Sequence, residues 1–323
     1  MKSVTVAVVG AGIAGLACAR ELSRAGIEAA VFEKSRGNGG RLATRRADPY
    51  AFDHGTQYFT VRDERFAEEI ARWQAADAAA EWLGTVVALR AGGVHDTKPH
   101  RRFVGVPGMS AIGRAMAAGL DVRHEQAVTG LAVQGPRWAV IGEHGRVLGV
   151  FDRVVVAVPA PQAAPLLAAS PALAALAKSC DIAPCWALMA AFDHRLPLDY
   201  DGAFVEDAPL AWIMRNGSKP GRPDAECWVL HAGPAWTREH LELDKAAIPG
   251  PLLDVFEQVT GITTRPLHAV AHRWRYALPE EPLTLPFLLD EATGLAACGD
   301  WCGGPRVEGA FLSGLQLGQA LAR

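Results

Sequence analysis

Gly10, Gly12 and Gly15 stand at the spacing G-x-G-x-x-G, and Glu33 follows Gly15 by eighteen residues. These residue types at this spacing suit a pyrophosphate and a ribose. Gly10 permits a tight turn, Gly12 lets the backbone approach phosphates, and Gly15 lets a helix pack closely on a strand. A carboxylate at Glu33 can accept hydrogen bonds from a ribose diol. The next stretch, Lys34 to Arg46, holds three glycines and four arginines in thirteen residues. It reads as a loop in which Gly39-Gly40 lets the backbone pass close to a ligand while Arg41 meets phosphate.

These groups need particular elements to hold them, and the flanking sequence supplies them. Val4 to Val9 is a short apolar run rich in β-branched residues, as in a buried parallel strand. Leu16 to Ala25 reads as a helix ended by Gly26, and Ile27 to Phe32 as a second strand. The free N–H groups at the start of that helix would face the phosphates. A bound dinucleotide follows from this context; FAD and NAD both fit the motif.

Further along, Asp63 is expected to cap a helix from about Glu64 to Ala80. Trp82 to Arg90 and Arg102 to Val106 read as strands, and Met109 to Ala118 as a short helix. Leu120 to Gln134 carries two strand-like pieces, and Arg137 to Ile141 with Arg146 to Phe151 form a hairpin. Asp152 to Val158 returns to the buried parallel style. Ala160 to Lys178 is divided by prolines into short helices. Ile182 to Trp274 changes character: Trp186 to Phe192, Leu210 to Arg215, Cys227 to Gly233 and Leu267 to Trp274 read as strands, with helices at Thr237 to Leu243 and Pro251 to Thr260. Near the end come a strand (Leu295 to Asp300), a glycine-rich loop (Trp301 to Arg306) and a closing helix from Glu308. A second strand, acid, glycine loop and helix start suits a large cofactor, FAD better than an exchanging NAD.

The composition narrows the class. The chain of 323 residues is half hydrophobic, with a net charge of -3. That length supports a large core and two domains. The absence of a dominant basic cluster speaks against nucleic acid. Six cysteines without metal spacing read as reduced thiols in a cytoplasmic protein. No stretch has the composition of a membrane span, and no metal site is expected.

Three elements together resemble the flavin-containing amine oxidase superfamily: the opening glycine motif with Glu33, then Gly39-Gly40-Arg41, then Gly299-Asp300 followed by Glu308-Gly309-Ala310-Phe311-Leu312-Ser313-Gly314. Two stretches, Gly39 to Thr60 with its Phe52-Asp53-His54-Gly55-Thr56-Gln57-Tyr58-Phe59-Thr60 and His272-Arg273-Trp274-Arg275-Tyr276-Ala277, look like the bacterial renalase-like flavoproteins. Thr56, in place of the usual alanine, and Asn38, in place of an apolar residue, depart from that pattern. The resemblance implies an α/β protein: a Rossmann-type FAD-binding domain (1–62, 105–170 and 285–323) with an inserted mixed-sheet substrate domain (63–104 and 171–284). It implies non-covalent FAD held by Gly10, Gly12, Ala14, Gly15, Glu33, Lys34, Gly40, Arg41, Thr56, Gln57, Val128, Asp300, Glu308, Gly309 and Ala310. The helix starting near Glu308 would point its N-terminus at the flavin's pyrimidine edge, where a helix dipole stabilises negative charge by up to ~2 kcal/mol.

The resemblance further implies an oxidase of misreduced NAD(P)H isomers, with O2 as acceptor and hydrogen peroxide as product. For such a substrate, Gln57, Tyr58, His231, Trp274 and Tyr276 are the expected catalytic surroundings. Trp212, Asn216, Arg273 and Arg275 would bind substrate, and Arg215 and Lys219 are further phosphate candidates. Three rival readings remain. An amine oxidase would want an aromatic cage and a lysine near the flavin, and none of the six lysines aligns to that role. A non-catalytic FAD-binding protein would not be reduced by substrate. An NAD-dependent dehydrogenase would have no use for the C-terminal elements.

Overall fold

The computed structural model describes residues 4–323. Its first sheet grows from the opening strand, Thr5–Val9. Glu28–Phe32 and Arg153–Val156 pair in parallel on its two sides. Asp121–Arg123 and Leu295–Ala297 extend the parallel set outward, and Leu288–Asp290 adds an antiparallel edge. Numbering the five parallel strands in chain order gives 3-2-1-4-5. The order reverses between Thr5–Val9 and Arg153–Val156, and ligands of open α/β sheets bind at such a reversal, beyond the carboxyl ends of the strands. The glycine motif begins at that end.

The second sheet has seven strands among the described residues, ordered His268–Pro279, Ile182–Phe192, Glu226–Ala232, Leu210–Arg215, Gly202–Val205, Val86–Arg90 and Gly93–Asp96. Its strands alternate faces, as the two-residue period requires. Trp186, Leu188, Trp228, Leu230 and Ile213 pack under the helix Pro249–Thr260. The opposite face carries Met189, Val229 and Trp212, turned toward the loop after Gly40 and the first core. A three-stranded sheet, Val128–Gln134, Arg137–Gly142 and Val147–Phe151, lies beside the first. Among the described residues no helix is long and apolar enough to cross a membrane.

Several elements differ from expectation for local reasons. The first helix starts at Ile13, not Leu16, because Leu16 N–H already bonds the Gly12 carbonyl. The helix capped by Asp63 stops at Ala75, where Asp77 turns to a positive φ of 52°. The expected strand from Trp82 to Arg90 breaks around Gly84, whose backbone lies against the Trp82 ring. Trp82 instead ends the strand Ala79–Trp82, and Val86–Arg90 forms a separate strand with different partners. The glycine loop after Asp300 begins as a short helix, Asp300–Gly303.

The first and last helices (Ile13–Arg24 and Val307–Leu321) pack with their backbones nearly touching. A Cβ at Gly314 would run into the Ala14 carbonyl, and one at Gly318 would lie 2.9 Å from the Cys18 carbonyl oxygen. The contacts advance in the same direction along both helices, so the two run parallel. Six more residues of the last helix than of the first precede this contact (314−307 against 14−13). At 1.5 Å per residue the last helix starts roughly 9 Å beyond the first. Two helix N-termini thus stand staggered along one line.

Candidate active site

The glycine motif behaves as three separate devices. Gly10 has φ +106° and lies so close to the next loop that a Cβ would be 2.6 Å from the Ala157 carbonyl oxygen. Gly15 presses on the Gly10 carbonyl. Gly12 differs: its backbone (φ -74°, ψ 176°) suits any residue, and an added Cβ would meet nothing within 4 Å. The space beside Gly12 is open, as a phosphate would need it. No side chain caps this helix start. Glu33 is buried below it, with Oε2 accepting from Ala11 N–H (2.9 Å) and Oε1 from Ser35 N–H (2.8 Å). Gly39 N–H bonds the Ala11 carbonyl (2.8 Å), and Gly40, at φ +55°, passes 3.6 Å from Gly12 when given a Cβ. Two glycine loops therefore meet around one cleft. Lys34 is exposed next to Glu33, and Val128 is half-buried at the start of its strand.

Arg41 spans from this loop to the far end of the chain. Its guanidinium forms two bonds of 2.7 Å with Asp300 and a third with the Ala277 carbonyl (2.8 Å). Thr56 N–H bonds the Arg41 carbonyl (2.9 Å). The carboxylate of Glu308 accepts from Arg62 and Asp63 N–H (2.7 and 2.8 Å), so it ties the last helix to the loop after Thr60. Gly309 serves close contact with Gly303 and Gly304, and Ala310 is half-buried beside it. The donor set fits FAD: an acid aligned for a ribose, an open glycine cleft at one helix start, and a second helix start beyond it. Glu33, Gly12 and Arg41 would hold the dinucleotide part, and the start of the last helix would face the ring.

Around Asp53 to Tyr58 a buried polar cluster joins loop and second sheet. Asp53 accepts from Thr44 Oγ1 (2.7 Å), Met109 N–H (2.9 Å), Lys219 Nζ (3.2 Å) and Arg222 Nη2 (2.5 Å). Burial would raise its pKa, but Lys219 and Arg222 outweigh this and hold it at about 2. Burial pulls Lys219 down to about 8 against the attraction of Asp53. Lys219 also donates to Gln57 Oε1 (3.1 Å) and Asn216 Oδ1 (3.2 Å). Gln57 Nε2 donates to the carbonyls of Asp53 and Gly55. Asn216 Nδ2 donates to the Ala51 carbonyl (2.8 Å), and its Oδ1 accepts Asp53 N–H (3.2 Å).

Two imidazoles and an indole close on the His54 backbone. His231 Nε2 lies 3.1 Å from the His54 carbonyl, which only accepts, so this nitrogen carries the proton. Trp274 Nε1 donates to the same carbonyl (2.9 Å). The Trp274 ring stacks on His54 (5.1 Å, 25°), and His272 meets both edge-on. Burial pushes His54 down to about 3, with His272 adding to the effect. Burial likewise takes His231 down to about 4, opposed by its bond to His54. All of these sit on the sheet face turned to the cleft, with Tyr58 near Trp82 (6.1 Å) and Trp212 (5.6 Å).

Several expected substrate contacts are engaged elsewhere. Arg273 and Arg275 alternate with His272, Trp274 and Tyr276, so the strand turns them to the opposite face, where both pair with Glu242. Arg215 is buried on the carbonyls of Leu196, Leu198 and Tyr200 and on Glu226. Lys219, Asn216 and Gln57 are buried and occupied within the Asp53 cluster, which makes them supports of the cleft wall rather than phosphate or substrate contacts. Tyr276 packs against the second core cluster, which holds Trp301 and Cys302. Ala14 is buried against the last helix, its carbonyl facing Gly314. His231, Trp274, Tyr58 and Trp212 do come together. His272 lies in the motif His272 to Ala277 but has no expected role, and Arg222 and Arg102 have none either; in a strand or turn, none of the three carries a local signal of its surroundings.

Comparison with known proteins decides the family. Residues 8–72 match the NAD(P)-binding Rossmann-like domain, and residues 90–321 match the flavin containing amine oxidoreductase model. The chain belongs to the flavin-containing amine oxidoreductases. It is a flavin-dependent oxidoreductase with FAD as cofactor. Its fold is similar to that of a candidate protoporphyrinogen oxidase from Exiguobacterium sp. 255-15 (TM-score 0.82, 15% identity, 100% and 99% of the two chains). It is also similar to cyclohexylamine oxidase from Brevibacterium oxydans IH-35A (TM-score 0.75, 13% identity, 99% of each chain). At such identities the likeness concerns the fold alone. A 4,4'-diapophytoene desaturase (4,4'-diaponeurosporene-forming) of Staphylococcus haemolyticus (strain JCSC1435) is 41% identical over 58 residues. That match covers 18% of this chain and 12% of the desaturase's length. The amine oxidoreductase match takes in Arg102, His231, Trp274 and the last helix.

Proposed function

We propose that this amine oxidoreductase is a renalase-like oxidase that converts misreduced dihydro isomers of NAD(P)H to NAD(P)+. The net reaction is dihydronicotinamide plus O2 and a proton, giving NAD(P)+ and hydrogen peroxide. Bound FAD would supply the hydride acceptor and the route of the electrons to oxygen. The chain's own work is to hold a flat donor in place and exclude water. Trp274, stacked on His54, supplies a wall for such a ring.

The observation that carries the reading is the charge state of the cleft wall. His54 and His231 are neutral at pH 7. The nearby carboxylates are engaged: Asp53 by two cations, Asp300 by Arg41, Glu308 by backbone N–H groups. Among the described residues an ammonium substrate would find no free carboxylate there, whereas a neutral carboxamide ring would have no charge to satisfy. The buried Cys302, its thiol pushed up by burial, suits non-covalent FAD. The two-sheet layout also supports a FAD part of 1–62, 105–170 and 285–323 and a substrate part of 63–104 and 171–284, although the helix Glu64–Ala75 packs Phe66 on Phe311 of the last helix.

The test is the visible spectrum of the yellow protein under anaerobic conditions. Addition of mixed NADH isomers should bleach it, and air should restore it with formation of hydrogen peroxide. Bleaching by putrescine or cyclohexylamine, with none by the isomers, would establish the amine reading. No bleaching by either would favour a non-catalytic FAD-binding protein.

A further inference from the structure

Arg102 is buried at 8% exposure, and its Nε has no hydrogen-bond partner among the described residues. A guanidinium stays protonated at any working pH. Burying one of its N–H groups without an acceptor is costly. Other buried guanidinium groups here are fully served. Arg215 has Glu226, Asp201 and three carbonyls; Arg222 has Asp53 and the carbonyls of Gly105 and Pro220. Arg102 has only the face of Tyr58, with Cζ 5.4 Å from the ring centroid. Such a contact offsets only part of the lost hydration. Among the described residues the buried Nε–H of this cation therefore has no acceptor.

A second, independent observation lies on the same ring. Trp212, also buried at 8% exposure, packs on Tyr58 at 5.6 Å, and its indole N–H has no acceptor. One unserved cation and one unserved donor therefore border Tyr58, which follows directly on Gln57 of the cleft loop. From Arg102 a cavity of about 370 Å³ opens outward, lined by Trp82, Leu83, Pro99, His100 and the Arg101–Glu81 pair. Glu81 is held by Arg101 through two bonds (2.9 and 2.8 Å).

We infer that Arg102, helped by Trp212 Nε1, binds a phosphate of the substrate, with the rest of a nucleotide leaving through the cavity beside Trp82. This rests on the nicotinamide reading and deepens it. It places the substrate's charge between the ring site and solvent, and it sets a second barrier against cationic amines.

The test separates the phosphate from the ring. Nicotinamide mononucleotide and nicotinamide riboside differ by one phosphate, and their binding to the FAD-loaded protein can be followed by flavin absorbance and tryptophan fluorescence. The wild type should bind the mononucleotide at least ten-fold more tightly than the riboside. Arg102→Met should lose that margin and leave the riboside affinity unchanged, and Arg102→Lys should recover part of it. Trp212→Phe, which keeps a ring, should weaken mononucleotide binding a few-fold. Equal affinities for the two ligands in the wild type would overturn the proposal. So would a margin that survives in Arg102→Met. If Arg102→Met does not fold, Arg102→Lys and Trp212→Phe carry the same comparison. Failure of the nicotinamide reading shows separately, as absence of flavin bleaching by any dihydronicotinamide; a phosphate margin dependent on Arg102 would then still stand.

Discussion

Lys219 Nζ lies 3.2 Å from Asp53 Oδ2, and neither side chain has any exposure to solvent. Arg222 shares the same carboxylate oxygen. One anion therefore serves two buried cations, and the loop from Asp53 to Tyr58 is pinned to the second sheet by that arrangement. Removing the anion leaves both cations unmatched. Asp53→Asn should cost about 3–5 kcal/mol, lowering Tm by roughly 10 °C in a chain of this size. Lys219→Met leaves Asp53 with Arg222 and should cost clearly less. Thermal unfolding of the three proteins checks the order; equal losses would show that the lysine, not the carboxylate, holds the cluster.

The neutral histidines predict a pH dependence in a separate window. His231 titrates near 4 and His54 near 3 in the folded protein, against 6.5 for a free imidazole. As pH falls below 6.5 the unfolded chain takes up these protons first. Stability is therefore full above about pH 6.5 and is lost as pH falls toward 4. His231 alone accounts for about 2 kcal/mol after allowance for its partial exposure. The contribution of Asp53, whose pKa is held at about 2, is present in full above about pH 4 and is lost only as pH falls below that. Urea unfolding between pH 7.5 and 5 should show falling stability in the wild type and a flatter profile in His231→Gln. An unchanged slope in that variant would mean that His231 is protonated in the folded state.

Two glycines that look alike in sequence should respond in opposite ways. Gly12→Ala introduces a methyl into open space with an ordinary backbone conformation. Apo-protein stability should hold or rise by roughly 0.4–1 kcal/mol, while FAD content falls. Gly314→Ala drives a methyl into the Ala14 carbonyl and forces the first and last helices apart. It should cost about 1–3 kcal/mol, as overpacking does, with or without FAD. Flavin content per chain and the Tm of stripped protein separate the two effects. Normal FAD retention in Gly12→Ala would move the phosphates away from that helix start.

The nucleotide half was legible because its signals are local. Gly10, Gly12, Gly15 and Glu33 lie within one strand–helix–strand unit, and each spacing has a backbone reason. The cleft wall was not, because sheet register assembles it from distant segments. Asp53 and Lys219 are 166 residues apart. His231 and Trp274 were identifiable as chemistry-bearing residues, but nothing local shows that both bond the His54 carbonyl. Arg273 and Arg275 misled because a run of arginines around aromatics suggests phosphate, whereas the two-residue alternation of the strand sends the arginines and the aromatics to opposite faces. Arg102 was hidden for another reason. A missing partner is a property of the packed molecule, and no pattern along the chain encodes it.

Trp274 offers the sharpest division between holding the fold and holding the substrate. Its indole N–H serves the His54 carbonyl and its ring stacks on the His54 imidazole. Gly55 runs past it so closely that an added Cβ would lie 3.2 Å from the ring. Trp274→Phe keeps an aromatic wall and gives up the hydrogen bond; Trp274→Ala gives up both. Neither touches the glycine cleft or Glu33, so FAD should stay bound in both. Aromatic contacts contribute about 0.5–1.5 kcal/mol beyond their area. If the dihydronicotinamide lies against this ring, the alanine variant should reduce its flavin several-fold to about ten-fold more slowly, and the phenylalanine variant should lie between it and the wild type. The His54 carbonyl keeps His231 as a partner in either variant, so loop disorder would not mimic this order. Stopped-flow reduction with the same isomer mixture provides the measurement. Wild-type rates in Trp274→Ala would remove the ring from the substrate wall and leave Trp274 as a brace for the loop.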